Sequence, residues 1–202
     1  MKIGRICLTT AIIAIVLSFA GCASYISPED ELGFFDYPPE FFCESSGSRI
    51  DYQTPGKCAA YATAYLIRYF GEKTNGEELY PELKRSLGFV SANSITNVLE
   101  QHGYQTKAYH GNIDTLKQQL IKGNPIIVFI RIPKDTHYAV VVGYDEQYIY
   151  LVDSLAENAN ARDTRYNRIL TTEAFEDVWE TRTLLPKNIY IVVEAADKGL
   201  AK

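Results

Sequence analysis

The stretch from Cys58 to Phe70 (CAAYATAYLIRYF) carries no Gly or Pro, and its apolar residues recur at helical spacing. Ala60, Ala64 and Ile67 line up with Gly71, while Tyr61, Tyr65 and Tyr69 form a second row. Apolar positions therefore cover most of the circumference, which predicts a buried helix that stops at Gly71. Shorter patterns predict helices over 77–86, with Pro81 as a break, and over 94–102, where Ile95, Val98 and Leu99 share a face and Gly103 is the stop. Residues 113–122 read as a further helix capped by Asn112 and ended by Gly123, and 172–181 as the last. Residues 104–110, 125–132, 137–144, 148–152 and 188–194 are strand-like, the middle three separated by Pro, Asp and Glu. Helices first and strands afterwards predict an α+β fold, with N-terminal helices packed on an antiparallel sheet.

The first residues follow another logic. Lys2 and Arg5 precede an apolar run from Ile6 to Phe19, and Ala20, Gly21 and Cys22 follow. A basic start, a short apolar segment and small residues before a break describe an export signal. From Ile6 to Gly21 the run is 16 residues, shorter than the roughly 18–20 that a spanning helix needs. The sequence LSFAGC resembles a bacterial lipobox, in which the chain is cut before the Cys and that Cys carries lipid. The expected organisation is a signal over 1–21, a tether and N-terminal arm over 22–50, a domain over 51–195 and a tail over 196–202. Phe34-Phe35 and Phe41-Phe42 in the arm are read as packing anchors. Lipid on Cys22 would hold the domain on the outer side of the cytoplasmic membrane.

Composition narrows the function. A chain of 202 residues and 22.8 kDa makes one domain of ordinary size. Twenty basic against twenty-five acidic side chains give a net charge of −5, and no basic run exceeds Lys84-Arg85, which argues against nucleic acid. A 47% apolar share with 15 Tyr and 9 Phe excludes a mainly disordered chain. Of the four cysteines, Cys7 lies in the signal and Cys22 takes the lipid. Cys43 and Cys58 remain, with no CxxC pair, so neither a thiolate zinc site nor a disulfide scaffold is expected. One Cys43–Cys58 bridge stays open in an oxidising exterior, and no metal or cofactor is anticipated.

Candidate chemistry gathers at three places. Cys58 sits in the first turn of the buried helix, where free N–H groups and the helix dipole favour a thiolate and Lys57 adds a neighbouring cation. His137 opens a strand, and Asp153 closes the next. If the intervening turn consumes Asp145, Glu146 and Gln147, Ala139 pairs with Asp153, and His137 becomes its diagonal neighbour on one face. A two-residue turn would send Asp153 to the opposite face. An odd-length turn is therefore expected. His102, ending a helix, is read as structural, and His110 as a loop residue.

The pattern Gln53-(x)4-Cys58 on a small-residue helix, followed by HYAVVVGYDEQYIYLVDS (137–154), resembles the peptidase C39-like family of papain-like cysteine peptidases. It is most similar to the stand-alone extracellular form, over about Tyr52 to Val193. The resemblance implies a papain-like fold with Cys58 as nucleophile, His137 as general base and acid, Asp153 as orienting carboxylate and Gln53 as oxyanion donor. It also implies a peptide or protein substrate, and a monomer is expected. Ala59-Ala60 follow Cys58 where the family commonly has Cys-Gly-Pro or Cys-Gly-x. A non-catalytic module that binds a peptide or envelope component through the same frame is the second reading.

Overall fold

The computed structural model describes residues 26–28, 36–44, 48–86, 88–181 and 186–196. The expected signal over 1–21, Cys22 and Phe34-Phe35 lie outside the described residues.

Helix α1 (Cys58–Tyr69) forms where the periodicity places it, with Ala60, Ala64, Leu66 and Ile67 fully buried. Its alanines allow close approach to the sheet. Near its C-terminal end, Arg68 donates to the carbonyls of Arg49 (2.9 Å) and Thr74 (3.2 Å) and pairs with Asp51 at 3.3 Å. That guanidinium ties down the segment leading to Gln53. Helix α2 is only Gly76–Leu79, capped by Asn75, whose side chain accepts from the Glu77 and Glu78 amides. A Cβ on Gly76 would run into the Tyr61 ring, so glycine lets α2 lie against α1.

The helix expected over 77–86 is not continuous. Tyr80–Glu82 tightens into a 3-10 turn around Pro81, which has no N–H to extend a helical ladder. The chain then makes a hairpin of β3 (Arg85–Ser86) and β4 (Phe89–Val90), turning through Gly88 at φ 85°. Helix α3 (Ala92–Gln101) starts at Ser91, whose hydroxyl accepts from the Ser94 amide, and α4 (Ile113–Leu120) starts at a reciprocal capping box of Asn112 and Thr115. His110 is the last residue of a strand, opposite Ile189, not a loop residue as expected.

The sheet runs in the order β1 (Ile26–Pro28), β5 (Tyr104–His110), β10 (Ile189–Ala196), β6 (Ile126–Ile132), β7 (Asp135–Tyr144), β8 (Tyr148–Val152) and β9 (Arg168–Thr171). All pairings are antiparallel except β1 with β5. The short β2 (Phe41–Phe42) pairs with Gly143 and Tyr144 of β7, and Phe42 stacks near Tyr150 and Tyr166, so this Phe pair is a packing anchor. A Cβ on Gly143 would strike the Phe42 ring, which explains a glycine inside β7. One core cluster joins α1 and α3 to the sheet through Ile127, Phe129, Tyr138 and Val140. Another lies on Val128, Ile130, Val141 and Leu151 and includes Leu116 and Leu120 of α4 and Phe175 and Trp179 of α5 (Thr172–Trp179).

Candidate active site

The β7–β8 hairpin decides whether His137 and Asp153 can meet. The Asp145 amide bonds the Tyr148 carbonyl at 3.0 Å, so Glu146 and Gln147 form a two-residue turn, not the odd-length turn expected from sequence. Tyr144 accordingly pairs with Ile149 and Gly143 with Tyr150. Between Gly143 and Val141 the register shifts by one, and from there Val141 pairs with Leu151 and Val140 with Val152. Val142 is the extra residue of a β-bulge. The bulge reverses the parity set by the turn, and the strand ends reach the register that puts both residues on one face. His137 Nε2 stands 2.7 Å from Asp153 Oδ1.

With Nε2 on Asp153, Nδ1 is the nitrogen left for Cys58, which lies close enough to this imidazole to raise its proton affinity. Cys58 is partly exposed, whereas His137 and Asp153 are 2% and 0% exposed. A reachable sulfur is thus backed by a dry imidazole and a dry carboxylate. Burial by itself would pull the His137 proton affinity down. The hydrogen bond to Asp153 and the contact with Cys58 outweigh it, and the imidazole is held up to about 9. Burial likewise pushes the Asp153 carboxyl up, but His137, the Leu155 amide and Asn158 overcome it and keep the group below its ordinary value.

Cys58 opens α1 without a side-chain cap: Lys57 at the N-cap makes no capping bond. The first amides of the helix are therefore not consumed by a capping side chain, and they face the thiol end. Lys57, the neighbouring cation expected from sequence, has a counter-charge of its own. Its ammonium is paired with Glu77, which also accepts from the hydroxyls of Thr54 (2.8 Å) and Tyr61 (2.9 Å). Cys43 and Cys58 are both free thiols. Cys43 is buried beside β7, with its amide on the Val142 carbonyl at 2.8 Å, and burial pushes its thiol up to about 12.

Gln53 is strapped to the residue after the carboxylate. Its amide N–H donates to the Ser154 carbonyl at 2.8 Å, and its side-chain Oε1 accepts from the Ser154 hydroxyl at 2.7 Å. With Oε1 occupied, the amide's donor end, Nε2, is the end available to a ligand. Tyr138, the neighbour of His137, sends its hydroxyl to the Val90 carbonyl at 3.0 Å, which fixes the β3–β4 hairpin near the site.

Like Asn158, two further residues that sequence reasoning missed support Asp153. Asn167 accepts from the Asp153 amide (2.8 Å) and donates to its carbonyl (2.7 Å). Arg168 donates to Asp153 Oδ2 at 2.8 Å. Both sit where β9 begins, a four-residue strand with no strong periodic pattern, so nothing local marked them. Among the described residues no group of three His, Cys, Asp or Glu side chains converges as a metal site would require.

A cysteine at a helix N-terminus, set against an imidazole and a carboxylate on an antiparallel sheet, defines a papain-like cysteine-peptidase type of module. Residues 48–184 match the model of the Peptidase C39 like family, and the chain belongs to that family. Among solved structures it is similar to the peptidase domain of Streptococcus ComA, a bifunctional ABC transporter involved in a quorum-sensing pathway. That match has 16% identity and a TM-score of 0.57 over 72% of this chain and 97% of that one. A Bacillus anthracis protein classed as a C39-like peptidase gives 16% identity and a TM-score of 0.56, covering 75% and 96% of the two chains. A double-glycine-motif protease from an AMS/PCAT transporter, solved with its leader peptide, gives 16% and 0.53 over 71% and 88%. No curated protein sequence matches the chain.

Proposed function

We propose that the protein is a cysteine peptidase acting on extracytoplasmic peptides, with Cys58 as nucleophile, His137 as general base and acid, Asp153 as orienting carboxylate and Gln53 as oxyanion donor. One observation carries this reading: a single buried imidazole is bonded to the Asp153 carboxylate at 2.7 Å and lies within electrostatic reach of the Cys58 thiol. The Cys58 sulfur, deprotonated toward His137 Nδ1, attacks the peptide carbonyl and forms a C–S bond. The resulting oxyanion lies by the Cys58 backbone N–H and the Gln53 amide, and donors of this kind are worth about 10²–10³ in rate. His137 passes its Nδ1 proton to the leaving amine, and the C–N bond breaks. Water then attacks the thioester, gives a proton to Nδ1, and releases the acid and the Cys58 thiolate.

Ala59 and Ala60 support the catalytic reading over the binding module. They are 3% and 0% exposed and point into the core, so the departure after Cys58 does not fill the cleft. Tyr52, 54% exposed beside Gln53, offers an aromatic contact for a peptide at the rim. A protease related in fold is known with a leader peptide, and a peptide is the substrate class assigned to this chain. Lipid on Cys22 would anchor the domain to the outer side of the cytoplasmic membrane. The test is hydrolysis of a peptide library by the purified chain: cleavage that disappears in Cys58→Ala is expected. Equal cleavage by both proteins, or none by either, contradicts the assignment.

A further inference from the structure

Asp153 is completely buried, and each of its oxygens accepts two hydrogen bonds. Oδ1 takes His137 Nε2 (2.7 Å) and the Leu155 amide (2.8 Å). Oδ2 takes Arg168 Nη1 (2.8 Å) and Asn158 Nδ2 (3.0 Å). The Leu155 and Asn158 donors are neutral, so the charged partners of the carboxylate among the described residues are His137 on β7 and Arg168 on β9. His137 in turn faces Asp153 and, from α1, Cys58. Arg168 is itself 9% exposed and takes Oδ2, leaving Oδ1 to His137.

The cycle proposed above makes this second cation necessary. After acylation the sulfur is a thioester and His137 has lost its proton to the leaving amine. The carboxylate then has no imidazolium to face. A buried carboxylate without a counter-charge takes up a proton. Two outcomes follow, and both block the next step. Either the imidazole recaptures a proton and stays cationic, or the proton settles on Oδ1. In the second case Nε2 must accept and not donate, which moves the ring proton to Nδ1. Each outcome leaves Nδ1 protonated, with no lone pair to receive the proton of the attacking water.

We propose that Arg168 is a positioning residue that keeps Asp153 ionised while His137 is neutral, and thereby keeps the ring tautomer in which Nδ1 can act as base in deacylation. The proposal rests on the peptidase reading. A guanidinium suits the task because it is a permanent cation whose planar fork needs no reorientation.

Burst kinetics with p-nitrophenyl acetate separate the two half-reactions. Arg168→Gln retains a hydrogen-bond donor without the charge, and Arg168→Lys retains a charge. In the Gln variant the burst amplitude should persist. Steady-state release at pH 7 should fall about ten-fold, with its pH midpoint displaced upward by about one unit, because removing a cation favours imidazolium. Arg168→Lys should restore most of the rate. A Gln variant with wild-type turnover, or one whose burst and steady state fall together at an unchanged midpoint, overturns the proposal. Should Arg168→Gln not fold, the wild-type protein alkylated at Cys58 provides the second measurement. The ¹³C carboxyl resonance of Asp153 should remain that of a carboxylate while His137 titrates, and protonation of Asp153 as the imidazole loses its proton contradicts the role assigned to Arg168. Absence of a burst in the wild type would instead overturn the peptidase reading, and the carboxyl measurement would still decide on Arg168.

Discussion

In the folded chain His137 holds its proton up to about 9, against 6.5 for an unperturbed imidazole. The folded state therefore binds this proton more tightly than the unfolded chain does. The stabilisation is complete below about pH 6.5 and is lost as pH rises through about 9. A difference of roughly two and a half units corresponds to about 3 kcal/mol, a large fraction of the stability of an ordinary domain. Urea unfolding at pH 6, 7.5 and 9.5 measures it. With a slope of about 2–3 kcal/mol per molar urea, the midpoint should drop by about 1 M or more across that range. Asp153→Asn removes the charged partner that raises the imidazole and leaves the burial that lowers it, so the alkaline loss should vanish in that variant. Cys58→Ala removes the second partner and should narrow the window without abolishing it. A wild-type midpoint flat from pH 6 to 9.5, or an equal slope in Asp153→Asn, would refute the reasoning.

Further outcomes follow from the same geometry. Gln53→Ala should reduce peptide hydrolysis about 10²–10³-fold while alkylation of Cys58 by iodoacetamide stays near the wild-type rate, since only hydrolysis passes through an oxyanion. Asp153→Asn should lower turnover by less than Cys58→Ala, because the carboxylate orients the ring and does not attack; steady-state kinetics on one peptide compare them. Labelled palmitate should enter the full-length chain in a bacterial host and be lost in Cys22→Ala; incorporation that survives the substitution contradicts lipidation at Cys22.

Much of this arrangement is written locally. The small-residue periodicity of 58–70, the Asn112 cap and the β-rich runs from 126 to 152 each produce the element they suggest, because those signals act within a few residues. The residues that matter most to the site's support depend on partners far along the chain. The turn after Tyr144 has the wrong parity for His137 to meet Asp153, and only the bulge at Val142 reverses it. The extra residue of that bulge, Val142, gives its carbonyl to the Cys43 amide beside β2, a partner that a reading of 137–153 alone does not contain. Lys57 illustrates the same limit: next to Cys58 in sequence, it is taken up by Glu77 twenty residues on. Arg168 is the converse case, an ordinary surface-type residue in sequence that tertiary packing buries against the carboxylate.

The central claim is that Cys58 is a nucleophile activated by His137. Iodoacetamide labelling followed by peptide mapping, run from pH 5.5 to 8.5, tests it most directly, because Cys43 serves as an internal control in the same molecule. Cys58 should be carboxamidomethylated far faster than the buried Cys43, and His137→Ala should remove most of that advantage. Equal labelling of the two cysteines, or a Cys58 rate indifferent to His137→Ala, would contradict it.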